Sequence, residues 1–142
     1  MWTNTNLPIL LLVEDSDDDA YFFKRTLDKS GATCSFHHAT DGAQAIDFLE
    51  NASRSEEPSL PQIIFLDLKM PTVNGFEVLD WINKQTFSSQ IQVIVLSGSE
   101  YEEDKQRAEK LGAAAYLVKP VKVSDLHRFL QHACPPEMGA QR

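Results

Sequence analysis

The sequence predicts an α/β fold in which an open, twisted parallel sheet carries helices on both faces. Two observations lead to this prediction. Short runs rich in Ile, Leu and Val alternate five times with amphipathic stretches of helical length along the 142 residues. The strongest runs are apolar at consecutive positions, which is typical of strands that helices bury on both faces. Because crossovers between parallel strands are right-handed in nearly all proteins, this order leads to a doubly wound sheet.

Five strands are predicted from the apolar runs. Three runs are strong, with Gln92 as their only polar interruption, and two are weaker. The strong runs cover residues 9–13, 63–66 and 91–96, and the weaker ones cover residues 34–39 and 115–118. Each run has the length of an ordinary strand, which is about 5–6 residues.

Five helices are predicted from apolar residues at helical spacing. They cover residues 18–29, 41–50, 75–84, 100–111 and 124–132. The expected end residues are Asp41 and Ser124 as N-caps, and Gly31 and Gly112 as C-terminal stops. The fourth helix is the most polar, because only Ala108 and Leu111 are clearly apolar in it. It is either a shallowly packed helix or one that faces a partner.

The length suits one domain, expected over residues 1–142 with its core at about residues 8–133. A polar loop is expected at residues 51–61 and a frayed tail at residues 135–142. Cys34 and Cys134 are far apart and belong to no cluster, so neither a disulfide nor a zinc site is predicted. The start of the chain lacks a signal peptide, and no apolar run could span a membrane, so we expect a cytoplasmic protein. The net charge of −8 disfavours nucleic acid as a partner.

Chemically useful side chains follow four of the predicted strands. Ligands of open parallel sheets collect at the carboxyl ends of the strands, so these side chains are expected to converge. They are Glu14 and Asp15 after the first strand, Asp67 after the third, Ser97 after the fourth and Lys119 after the fifth. Each has an ordinary interpretation when taken alone, such as a capping or turn residue. The ordered combination is what predicts a site.

The predicted site suits a divalent cation and a phosphoryl group. Three neighbouring carboxylates repel one another unless a positive charge is present, and Mg²⁺ prefers such oxygen ligands. Glu14, Asp15 and Asp67 are therefore candidate ligands of Mg²⁺. Asp67 is also the candidate nucleophile, with Lys119 and Ser97 expected to contact phosphoryl oxygens. Residues 16–19 are interpreted as helix capping and solvated surface.

The segments LLVEDS, FLDLKMPTVNGFEVL, VIVLSGS and AAAYLVKP resemble, in order, the signatures of response-regulator receiver domains. This resemblance implies a flavodoxin-like fold with strand order 2-1-3-4-5 and a phosphoacceptor at Asp67. It also implies that Lys69 lends its backbone carbonyl to the metal, and that Ser97 and Tyr116 are the switch residues. Glu14 stands where many members have Asp. More distantly, the chain resembles stand-alone regulators that are paired with bacterial phytochromes.

The resemblance implies a two-component switch, not an enzyme that acts on a separate substrate. A sensor histidine kinase, of the phytochrome type by the distant resemblance, would donate a phosphoryl group to Asp67. The signal would then leave by protein binding or through a homodimer, since no output domain is visible. Two alternatives stay open: a docking module that works without phosphorylation, and a phosphatase of the haloacid-dehalogenase type. Tyr116 has the alternative of being a plain core residue.

Overall fold

Five parallel strands form the sheet that the sequence predicts. The computed structural model describes residues 7–55, 60–70 and 72–133, without the side chain of residue 132. The strands are β1 Ile9–Val13, β2 Ser35–Ala39, β3 Ile63–Asp67, β4 Gln92–Ser97 and β5 Ala115–Val118. They lie side by side in the order β2-β1-β3-β4-β5. Each pairs in parallel with its neighbour, so the predicted doubly wound fold and strand order are confirmed.

Within the described residues, five α-helices cover the two faces of the sheet. They are α1 Asp17–Ser30, α2 Gly42–Arg54, α3 Gly75–Asn83, α4 Glu102–Lys110 and α5 Val123–Ala133, with a short 3-10 helix at Ser88–Gln90. α1 and α5 bury their apolar residues on one face, and α2, α3 and α4 bury theirs on the other. No helix in the described part of the chain is both long enough and apolar enough to cross a membrane.

The continuous apolar runs are explained by two cores, one on each face of the sheet. In β1, Leu10 and Leu12 point into the core with α1 and α5, whereas Leu11 and Val13 point into the core with α2 and α3. All four side chains are fully buried. Successive residues of a strand face opposite sides, so a strand covered on both sides must be apolar at every position.

Several predicted element ends are confirmed by cap geometry. The side chain of Asp41 accepts a hydrogen bond from the Gln44 backbone N–H at 2.8 Å, as an N-cap does. Gly31 ends α1 with φ at 78°, and Gly112 follows α4 with φ at 101°. Both values lie in the left-handed region that only glycine enters without strain.

Two other predicted ends are wrong. α5 begins at Val123, so Ser124 lies inside its first turn, and Asp125 instead accepts a hydrogen bond from the Lys122 backbone N–H at 3.1 Å. α2 continues to Arg54 and buries Ala52, so the first part of the expected loop at residues 51–61 is helical. Residues 56–59, Cys134 and the expected tail at residues 135–142 lie outside the described residues.

α3 begins with a reciprocal cap that makes a testable contribution to stability. The Asn74 side chain accepts from the Glu77 backbone N–H at 3.0 Å, and the Glu77 side chain accepts from the Asn74 backbone N–H at 3.1 Å. We expect Asn74→Ala to lower the free energy of unfolding by about 1 kcal/mol. Urea denaturation measures the loss, and Asn74→Ser should retain most of the stability because its hydroxyl also accepts. Equal losses in both variants would contradict a role for the cap.

Candidate functional site

The predicted site residues converge at the carboxyl edge of the sheet. Asp67 is the last residue of β3 and Ser97 is the last residue of β4, while Glu14 and Lys119 directly follow β1 and β5. Parallel pairing aligns these ends, with Asp67 opposite Leu96 and Ser97 opposite Val118. The residues come from four chain segments, and the sheet topology alone brings them together.

Asp67 is held in a closely packed and mostly buried position. It is only 4% exposed, and its Oδ1 accepts a hydrogen bond from the Lys69 backbone N–H at 3.4 Å. Gly75, at the start of α3, packs directly against the backbone of Asp67 and leaves no room for a Cβ atom. The carboxylate is therefore fixed from its own strand and from the helix that follows it.

Lys119 binds three carboxylates at once. Its Nζ lies 2.7 Å from Glu14 Oε1, 2.9 Å from Asp19 Oδ2 and 3.4 Å from Asp67 Oδ1. Glu14 is 2% exposed, so its charge is removed from water and depends on this ammonium group. The second Glu14 oxygen accepts a hydrogen bond from the Ser16 backbone N–H at 3.2 Å.

The charges at the site shift two pKa values in the same direction. Burial, and after it the negative charge of Glu14, raise the pKa of Asp67, whereas the positive charge of Lys119 lowers it, and together they bring it from 3.8 to about 7. Burial by itself lowers the pKa of Lys119, but hydrogen bonds to Glu14 and Asp19 and the charge of Asp67 outweigh that effect and raise it. Lys119 is thus a permanent cation, whereas Asp67 can exchange its proton near neutral pH.

Three carboxylates form a group with the chemistry of a divalent-cation site. Glu14, Asp15 and Asp67 each offer one ligand oxygen, and the three oxygens lie within 4.8 Å of one another. Two of these residues are buried and Asp15 is exposed, so the group opens to solvent on one side. An all-oxygen, anionic donor set that is open to water fits Mg²⁺, which keeps several of its waters. Lys69 lies beside this group and its side chain is exposed.

Ser97 and Tyr116 lie in one hydrogen-bonded chain that runs from the site toward α4. Ser97 is 1% exposed, and its Oγ accepts a hydrogen bond from the Ser99 backbone N–H at 3.0 Å. The Tyr116 hydroxyl donates to the Ser99 carbonyl at 2.8 Å. Tyr116 is half-buried, and its ring packs against the core that contains α3 and α4. Lys105 of α4 lies 5.8 Å from the centre of that ring.

Two residues at the site were not predicted from the sequence. Asp19, which the sequence places among capping and surface residues, binds Lys119. His38, near the end of β2, bonds through Nε2 to the Glu14 carbonyl at 2.8 Å. Asp19 lies in the first turn of α1, shortly after the predicted acidic pair of Glu14 and Asp15, and this closeness in sequence could have indicated that it lies near the site. His38 had no comparable signal, because β2 was among the weaker predicted strands.

Comparisons with known proteins agree with this geometry. The family model for the response regulator receiver domain matches residues 10–131 of the chain. Across 126 residues the chain is 36% identical to the probable methanogenesis regulatory protein FilR2 of Methanothrix harundinacea. The aligned stretch covers 87% of this chain and 79% of that protein.

Solved structures of response regulators are also similar to this chain. The chain is similar to the bacteriophytochrome response regulator RtBRR with a TM-score of 0.76 and 37% identity, over 86% of this chain and 75% of that one. It is also similar to the Mn(2+)-bound form of the response regulator Rcp1, a protein known from Synechocystis. That TM-score is 0.71 at 32% identity, over 87% of this chain and 89% of the other.

Proposed function

This chain belongs to the response regulator receiver domain family, and from that premise we propose that it accepts a phosphoryl group on Asp67 from a histidine kinase. One observation carries the proposal. The Asp67 carboxylate is buried at the carboxyl edge of the sheet, among an acidic group that suits a cation and within 3.4 Å of the Lys119 ammonium. A carboxylate in such surroundings can act as a nucleophile toward phosphorus.

The proposed cofactor is Mg²⁺, held by the carboxylates of Glu14, Asp15 and Asp67. The family resemblance adds the backbone carbonyl of Lys69 as a further ligand. The Mn(2+)-bound form of the similar protein Rcp1 supports a divalent cation in this family. When bound, Mg²⁺ would supply positive charge to the carboxylates and to the phosphoryl oxygens.

The chain's own residues account for the remaining requirements of phosphoryl transfer. An ionised Asp67 oxygen forms a bond to phosphorus while the P–N bond of a phosphohistidine breaks and the imidazole nitrogen keeps the electron pair. Lys119 neutralises charge on the phosphoryl oxygens, and the Ser97 hydroxyl donates a hydrogen bond to one of them. Phosphoryl transfer depends mainly on such positioning and charge stabilisation. Gly75 maintains the position of the nucleophile by packing against the backbone of Asp67.

The donor would approach along a cleft between α1 and the end of β5. The cleft has a volume of about 460 Å³, and Glu14, Phe22, Lys119 and Val121 are among its lining residues. Phe22, one of these lining residues, is 57% exposed. An apolar rim next to buried charge suits a protein surface that carries a phosphohistidine, and less a small free substrate.

The proposed output is a conformational switch. A phosphoryl group on Asp67 adds charge and acceptors that would attract the Ser97 hydroxyl and the Lys119 ammonium. Movement of Ser97 would break the hydrogen bond that its Oγ accepts from the Ser99 N–H. The Ser99 carbonyl, which accepts a hydrogen bond from the Tyr116 hydroxyl, would then be free to move as well. Reorientation of Tyr116 would then change the surface of α4, β5 and α5. A protein partner, or a second copy of the chain, would bind that surface.

The bacteriophytochrome regulator RtBRR supports a kinase of the phytochrome type as the proposed donor. FilR2, which is similar to this chain at nearly the same identity, is a probable methanogenesis regulatory protein, so the kinase must be determined by experiment. A histidine kinase partner implies action in the cytoplasm.

The test is incubation with acetyl phosphate and Mg²⁺, followed by intact-mass analysis. Wild type should gain one phosphoryl group, and Asp67→Asn should gain none, because an amide is not a competent nucleophile. Asp18→Asn is the matched control, since it removes an exposed aspartate of α1 and should be phosphorylated like wild type. Absence of a gain in wild type, repeated with a panel of histidine kinases, would refute the proposal and favour a docking module that works without phosphorylation.

A further inference from the structure

Lys119 is bound by a carboxylate that the receiver motif does not include. Asp19, in the first turn of α1, places Oδ2 2.9 Å from Lys119 Nζ. The helix is fixed at this point by its N-cap, because the Ser16 hydroxyl oxygen accepts a hydrogen bond from the Asp19 backbone N–H at 3.2 Å. Asp19 is therefore presented to Lys119 by a capped and ordered helix start.

The three carboxylate contacts of Lys119 differ in length, and the longest is the one to Asp67. The two carboxylate oxygens nearest to Nζ belong to Glu14 and Asp19, and both contacts are hydrogen bonds. Asp67, the proposed nucleophile, lies farther away at 3.4 Å. An ammonium group has only three hydrogens to donate, so two of them are committed to residues other than Asp67.

We propose that Asp19 is a positioning residue that holds Lys119 back from Asp67 in the unphosphorylated protein and so slows phosphoryl acceptance. This inference rests on the proposed function, since it needs Asp67 as the acceptor. Glu14 is buried and remains a partner of Lys119 in either state. The Asp19 side chain is 46% exposed, so water can replace Lys119 as its partner when Lys119 turns toward a phosphoryl group. Asp19 is thus the contact that Lys119 gives up.

The chain contains matched controls for the loss of charge. Asp17 and Asp18 lie in the same first turn of α1 and are exposed, and within the described ranges neither forms an ion pair. Substituting asparagine at either position changes the net charge by the same amount as Asp19→Asn does. A general effect of net charge on the binding of an anionic donor would therefore change the phosphorylation rate of all three asparagine variants. An effect that acts through Lys119 would change only the rate of Asp19→Asn.

The experiment measures the rate of phosphorylation by acetyl phosphate with Mg²⁺ for wild type and for the three asparagine variants. We expect Asp19→Asn to be about two- to fivefold faster than wild type, which is the upper part of the range for a partly exposed ion pair, and Asp17→Asn and Asp18→Asn to stay close to wild type. Asp19→Glu, which keeps a carboxylate, should return toward the wild-type rate. Equal rates in all asparagine variants would overturn the inference while leaving the proposed function intact. Failure of wild type to be phosphorylated would instead remove the proposed function itself.

A double-mutant cycle and a metal-free measurement separate positioning from a structural role. The effect of Asp19→Asn on the rate should vanish in a Lys119→Gln background, because the two residues act together. In metal-free protein without a donor, the ¹⁵N resonance of Lys119 Nζ should shift in Asp19→Asn and stay unchanged in Asp18→Asn. An undiminished rate effect without Lys119, or an unshifted resonance, would overturn the inference.

Discussion

Replacing Asp67 by asparagine is expected to stabilise the metal-free protein above neutral pH by about 2 to 4 kcal/mol. The physical reason is the environment of the carboxylate, which is buried next to Glu14. Asparagine has nearly the same shape and carries no charge. The variant therefore loses the cost of ionising a buried group and also loses the proposed function, so stability and activity are opposed at this position.

The sign of the pH dependence follows from the raised pKa. The Asp67 pKa is 3.8 ordinarily and about 7 in the folded protein. Between these values the folded state holds a proton that the unfolded state has released, so the contribution of Asp67 to the free energy of unfolding falls as pH rises. The free-energy cost of ionising Asp67 in the folded protein is absent below pH 3.8 and complete above about pH 7. Asp67→Asn should remove this part of the pH dependence.

Urea denaturation of both proteins with a chelator, at about pH 5 and about pH 8, checks this prediction. The difference in stability should be partial at the lower pH, which lies between the two pKa values, and should reach its full size at the higher pH. Asp18→Asn controls for net charge and should show neither effect. Excess Mg²⁺ should reduce the difference, because a bound cation stabilises the ionised carboxylates of the wild type. A difference that is the same at both pH values would show that Asp67 is not the group that titrates.

Gly75→Ala is expected to destabilise the fold by about 3 kcal/mol or more and to disturb the phosphoacceptor. A Cβ at Gly75 would lie against the Asp67 carbonyl oxygen and 2.6 Å from the Leu68 Cα. These are backbone atoms at the end of a central strand, so they cannot move aside as a flexible side chain can. The hydrogen bond from the Gly75 N–H to the Leu68 carbonyl, 3.0 Å long, would also be strained.

Gly98→Ala is the matched control for this prediction. Gly98 follows β4 at the same edge of the sheet, and a Cβ there meets no atom within 4 Å. We expect this variant to unfold at the same urea concentration as wild type and to be phosphorylated at a similar rate. Gly75→Ala should unfold at lower urea, and any folded fraction should accept a phosphoryl group more slowly. Equal stability of the two alanine variants would contradict the packing argument.

Most of the fold could be predicted from local pattern. The consecutive apolar residues of β1, β3 and β4 are a direct consequence of burial on both faces, and periodicity alone reveals them. The ends of the elements were less predictable. α2 runs on to Arg54 through polar residues because Ala52 packs on the core, which is a tertiary effect. Ser124 had the chemistry of an N-cap, but the helix begins one residue before it.

The candidate site was predictable where strand ends determine it. Glu14, Asp15, Asp67, Ser97 and Lys119 converge because parallel strands end at one edge, which follows from topology. The assignment of phosphoacceptor and metal-binding roles to them stays a prediction. Asp19 was missed because its contact depends on the position of α1 relative to β5, and these elements are far apart in sequence.

By itself, then, the sequence determined the kinds of element, their order and the set of reactive residues, because hydrophobic periodicity and side-chain chemistry are local properties. Only the tertiary structure decided how the charge of Lys119 is shared among Glu14, Asp19 and Asp67, and how far burial raises the Asp67 pKa. Coulombic and desolvation energies depend on distances and solvent access, and these exist only once the chain has folded.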